Sequence, residues 1–90
     1  MTRPLEREDI YAKIDQERDY QDSVWGVDQD ARKSLADWAV FIHVQSEELM
    51  KDVYGSSQDH LMMALHRMRK IAALAVACME YNGCPPRRDA

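Results

Sequence analysis

Glycine and proline are scarce in this chain, three of each in 90 residues, and the scarcity removes whole classes of function. Neither GxGxxG nor GxxxxGK followed by Ser or Thr can be written anywhere in it. The glycine-rich loops that cradle phosphates in dinucleotide-binding and P-loop proteins are therefore excluded. The two cysteines, Cys78 and Cys84, form neither a CxxC redox pair nor half of a zinc site, and reduced thiols are the expected state. No GxSxG elbow is present and no histidine neighbours either cysteine in sequence, so nucleophilic catalysis has no motif to rest on. No apolar run approaches the roughly 20 residues that span a bilayer. The opening MTRPLEREDI is too acidic and polar for a signal peptide. The expectation is a cytoplasmic protein with no membrane partner.

What is present describes an ordinary globular chain, 46% apolar and 31% charged. A single domain over 1–90 is expected, with flexible ends at 1–4 and 84–90. A domain this small buries only about 60% of its unfolded surface, which makes oligomerisation an expected source of stability. The net charge of −4 is unevenly spread. Residues 1–30 hold nine acids and four bases, a net of −5, whereas residues 61–90 hold five bases and two acids, a net of +3. No broad basic surface results, which argues against a nucleic-acid partner. A local anion site in the last third remains open.

The glycines and prolines punctuate three principal helices, and no alternating β-branched run or Asn-Gly turn interrupts them. The first helix is expected over about Leu5 to Ser23, with Ile10, Tyr11 and Ile14 as a thin apolar stripe. Gly26 and VDQDA form a connection. The second helix opens at Ser34, where Ser34 and Asp37 make a capping box, and ends at Gly55. Its apolar positions Leu35, Trp38, Ala39, Ile42, Leu49 and Val53 share one face. Ser56 and Asp59 repeat the capping pattern before the third helix, about Ser57 to Asn82, which Gly83 and Pro85-Pro86 stop. Leu61, Ala64, Met68, Ala72, Ala75 and Met79 form one face of it, yet residues 71–79 are apolar nearly all round. A helix apolar on every side needs cover on every side, more than two other helices supply. The fold class is thus all-α, completed by homodimerisation through the second and third helices.

Three side-chain groups could carry function. His43 and Glu47, with Glu48 and Asp52, lie four apart on the second helix and could offer metal ligands or simply a solvated face. Arg67 and Lys70 are neighbours on the third helix, and either pair with acids of the second helix or clamp a phosphate. Trp25 either staples the loop at Gly26 or stacks on a base.

ERDYQDSVWG (17–26) resembles the ERxRQDxKWG opening of small phage and bacterial proteins related to the MazG-like all-α nucleotide pyrophosphohydrolases. KIAALAVACMEYNG (70–83) resembles their last core helix. The resemblance implies a compact helical oligomer that hydrolyses nucleoside triphosphates, with magnesium on an ExxE and an ExxD motif. Gln45 and Glu48 stand at the ExxE positions here, and Arg67 and Lys70 at the ExxD positions. Two cations in place of two acids would repel magnesium. A non-catalytic relative is therefore expected, with no cofactor, binding an anionic ligand such as a phosphorylated nucleotide through Arg67, Lys70, Trp25, Gln21, Gln45 and Glu48. One alternative is an interaction protein that engages a host protein through its acidic first helix (Glu6, Glu8, Asp9, Asp15, Glu17, Asp19, Asp22). The other is a residual magnesium-dependent hydrolase using Glu47, Glu48 and Asp52.

Overall fold

The computed structural model describes residues 3–88. These contain helices α1 (Arg7–Trp25), α2 (Val27–Ala31), α3 (Leu35–Val53) and α4 (His60–Asn82), and no strand. The all-α expectation holds, with one helix more than the sequence pattern suggested. Residues 3, 4 and 84–88 lie outside every helix and are exposed; the remainder of the expected flexible ends, 1–2 and 89–90, lies outside the described residues.

Helix α4 is the spine. Short connections favour antiparallel neighbours, and α3 runs back along α4 accordingly. Trp38 stacks on Tyr81 near one end, centroids 6.4 Å apart, and Asp52 meets Arg67 near the other. On α1, the adjacent residues Glu17 and Arg18 reach Arg69 and Glu80 of α4. Those two positions are about 16 Å apart along a helix rising 1.5 Å per residue. One turn of α1 is thereby tied to two well-separated points on α4.

The helix boundaries follow local chemistry. At Ser34 the expected box is complete: the Asp37 N–H donates to Ser34 Oγ at 3.1 Å, and the Ser34 N–H donates to Asp37 Oδ2 at 2.8 Å. The matching box at Ser56 and Asp59 does not form. Residues 57–59 are taken up by a turn in which the His60 N–H donates to the Ser57 carbonyl, so α4 starts at His60 and Asp59 makes no side-chain cap. Helix α1 runs two residues past Ser23 and ends at Gly26 (φ 83, ψ 150); α4 ends at Gly83 (φ 101, ψ 161). Both conformations belong to a region open essentially to glycine alone. The VDQDA segment, read from sequence as a connection, is the short helix α2. The stripe Ile10–Tyr11–Ile14 is mostly solvent-facing, and Arg18 and Gln21 are the buried residues of α1.

The interior is small. Its buried apolar residues are Trp38 and three alanines, Ala64, Ala73 and Ala77, while twenty large apolar side chains of the described residues are exposed. The radius of gyration is 14.8 Å, against about 12 Å for a compact domain of this length. Much of the exposed apolar surface is ordered into stripes. Leu61, Leu65, Met68, Ala72, Ala75 and Met79 recur at alternating four- and three-residue steps along α4. Leu35, Ala39, Ile42, Ser46, Leu49 and Val53 do the same along α3. For an antiparallel pair in contact through Trp38 and Asp52, helical periodicity puts both stripes on the same side of the hairpin.

Candidate functional site

Arg18, from the ERDYQD segment, sets the site's frame. It is 4% exposed. Its Nε donates to Glu80 Oε1 at 2.7 Å, its Nη2 to Asp22 Oδ1 at 2.9 Å and to Glu80 Oε2 at 3.3 Å, and its Nη1 to Gln21 Oε1 at 3.3 Å. The hydrogen bond to Glu80 pushes the guanidinium pKa further up; burial opposes it, and Asp22 adds to the rise. Arg18 therefore stays charged and pins α1 to the C-terminal part of α4. Tyr81 lies beside this network, its phenol pushed up first by partial burial and then by the charges of Asp30, Asp22 and Glu80.

Between the four helices lies a cavity of about 330 Å³. Tyr20, Trp25, Trp38 and Phe41 give it aromatic walls, Val24 and Leu74 extend them, and Gln21, Gln29 and Gln45 add amides. Its charged lining residues are Glu17, Asp30, Lys33 and Lys70. Two bases answer two acids, but the pairing is uneven. Glu17 accepts from Arg69 Nε at 2.8 Å, and Asp30, itself 2% exposed, holds Lys33 Nζ at 2.7 Å. Lys70 has no carboxylate partner among the described residues. Lys33 Nζ also lies 4.8 Å from the Trp38 ring centroid, 5.1 Å from that of Phe41 and 5.9 Å from that of Trp25, an aromatic box around an ammonium. The Trp38 Nε1–H is buried with no hydrogen-bond partner.

Four of the six residues expected at a ligand site therefore line one cavity: Lys70, Trp25, Gln21 and Gln45. Arg67 and Glu48 do not. Arg67 Nε donates to Asp52 Oδ2 at 3.1 Å and its Nη1 to Gln45 Oε1 at 2.8 Å, the interhelical pairing that spacing alone had offered. Glu48 pairs with Lys51 on its own helix at 3.1 Å. Trp25 is 53% exposed and forms part of the cavity wall. Glu47, Glu48 and Asp52 each meet a different base: His43 at 2.9 Å, Lys51 and Arg67. No group of three His, Cys, Asp or Glu among the described residues is placed to hold a metal ion. At the positions where the resemblance implies magnesium ligands, Arg67 fills the space between Gln45 and Asp52, a donor set that does not fit a divalent cation. Lys33 and Asp30 were not singled out from sequence; a lysine eight residues after one tryptophan and five before another follows no known motif.

No helix of the described residues is long and apolar enough to cross a membrane. No protein-family model, curated protein or solved structure matches the chain significantly.

Proposed function

We propose that this chain is a non-catalytic, MazG-like helical protein that binds a phosphorylated nucleotide or a similar organic anion in the cavity between its helices. The observation that carries the reading is the uneven charge pairing of the lining. Glu17 is compensated by Arg69 and Asp30 by Lys33, which leaves the Lys70 ammonium available to a ligand phosphate. Aromatic walls suit a planar base, since stacking tolerates any base, and the glutamine amides can meet its edge. Arg67 acts as an interhelical strut. The test is thermal shift across nucleoside mono-, di- and triphosphates, with and without magnesium. Stabilisation that ignores magnesium and disappears in Lys70→Glu is expected; no shift with any nucleotide sinks the reading.

The working unit in this proposal is a homodimer joined through α3 and α4. Support comes from the small, mostly alanine interior of the monomer, its large radius of gyration and the two stripes on one side of the hairpin. Leu35, Leu61, Leu65 and Met68 are each more than half exposed, and Met50, Val53 and Met79 add to them. At on the order of 100 Å² each, these seven supply about 700 Å² per partner, near the size of a standard stable interface. Four-three spacing on both helices suits a four-helix bundle.

A second reading keeps the acidic first helix as a protein-docking surface. Glu6, Glu8, Asp9, Asp15 and Asp19 are exposed, whereas Glu17 and Asp22 are engaged by Arg69 and Arg18. It is favoured if nucleotides fail to bind.

A further inference from the structure

We propose that Lys33 is a latch on this cavity: its ammonium closes the aromatic end, must leave for a planar ligand to enter, and then pairs with the ligand's phosphate. The inference rests on the reading of the cavity as a nucleotide-type site, and it adds the residue that sets preference for phosphorylated over unphosphorylated ligands.

The geometry points this way from several directions. The ammonium sits against three ring faces, those of Trp38, Phe41 and Trp25, at 4.8, 5.1 and 5.9 Å from their centroids. A base stacking on those rings competes for the same faces. The ammonium is also held by Asp30 at 2.7 Å, and that pair ties the C-terminal end of α2 to the box. Lys33 itself lies in the short linker between α2 and Ser34, its N–H donating to the Asp30 carbonyl at 3.2 Å, and rotation of its long side chain alone can lift the ammonium from the box. At the other end of α2, Gly26 has φ +83 and open space around it, as a hinge requires. Helix α2 is five residues long and too short to be stable without its anchors. The Trp38 Nε1–H is buried without an acceptor among the described residues, a donor that a ligand acceptor in the box would satisfy. Lys33 and Lys70 both line the cavity, so a phosphate bound there competes with Asp30 for the Lys33 ammonium.

The test is calorimetric titration of AMP and adenosine into the wild type, Lys33→Ala and Lys33→Arg. A closed latch lowers apparent affinity by the fraction of molecules that are open. Adenosine should therefore bind Lys33→Ala at least about fivefold more tightly than the wild type, the smallest gain that marks a mostly closed population. The preference for AMP over adenosine should narrow in the same variant and persist in Lys33→Arg. Adenosine binding that is unchanged or weaker in Lys33→Ala overturns the latch. If neither protein binds either ligand, the anion-site reading falls on its own, and the latch is decided by amide exchange without ligand. The amides of residues 28–31 should then exchange faster in Lys33→Ala and at the wild-type rate in Lys33→Arg. Unchanged exchange in Lys33→Ala overturns it.

Discussion

Removing the Arg18 guanidinium tests how α1 is held, and with it one wall of the cavity. Arg18→Ala deletes three charge-assisted hydrogen bonds, to Glu80 and Asp22, and a weaker one to Gln21. Such bonds to charged groups contribute about 1.5–3 kcal/mol each when buried. Here the carboxylate side chains are 48% and 37% exposed, so water rehydrates both once the arginine is gone. Each pair is accordingly discounted to about 1 kcal/mol, the upper end of exposed pairs. The buried stem adds the two methylenes beyond Cβ, at about 0.8 kcal/mol each. The expected cost of Arg18→Ala is therefore about 4 kcal/mol. Arg18→Lys keeps the stem and one contact but loses the planar fork, and should cost about 1–2 kcal/mol. Glu80→Ala removes only one solvated partner and should cost about 1 kcal/mol. Urea denaturation at one fixed protein concentration measures all three, because the stability of the proposed dimer would depend on concentration. A cost below about 1 kcal/mol for Arg18→Ala, or equal costs for Lys and Ala, would refute the division between fork and stem.

Two further perturbations separate other parts of the fold. Placing charges in the exposed stripe, as in Leu65→Glu with Met68→Glu, should shift sedimentation equilibrium from dimer to monomer while helical circular dichroism persists at high protein concentration; an unchanged dimer mass would place the interface elsewhere. The Asp37 carboxyl is held below the ordinary carboxylate range by the Ser34 backbone N–H first and the Ser34 side chain second. A depressed acid contributes stability above its unfolded pKa and loses it as pH falls through the folded one. The stability gap between wild type and Asp37→Asn should thus be open at neutral pH and close in acid, and a gap that widens on acidification would contradict the cap.

How much of this was legible in the sequence depended on distance along the chain. The Ser34–Asp37 cap and the Gly83 stop were readable because each is settled within a few residues. Trp38 was readable as core because its apolar neighbours recur at helical spacing. The same logic failed at Ser56–Asp59, where an intervening turn consumed the residues before they could cap. Helix α2 was missed because VDQDA has no apolar period and depends on Asp30 being buried against Lys33. The partner of Arg67 was readable as an acid of the second helix, but which one was not: the antiparallel alignment of α3 and α4 chooses Asp52. The pair Arg18–Glu80 spans 62 residues, and the Lys33 box requires a bend between Trp25 and Trp38; neither has a spacing rule from which it could be read. Of the six residues expected together, Lys70, Trp25, Gln21 and Gln45 line one cavity, whereas Arg67 and Glu48 are drawn off by Asp52 and Lys51, pairings that no spacing rule selects.

The most direct measurement of the central claim is calorimetric titration of a nucleoside monophosphate, with divalent cations chelated, into the wild type, Lys70→Ala and Arg67→Ala. Saturable binding is predicted for the wild type, weakened about tenfold in Lys70→Ala by the loss of one charge-assisted contact. Arg67→Ala should be less stable, because Asp52 loses its partner, yet bind with wild-type affinity well below its melting temperature. Absence of binding by the wild type, or binding that appears only when magnesium is restored, would contradict a metal-independent anion site at Lys70.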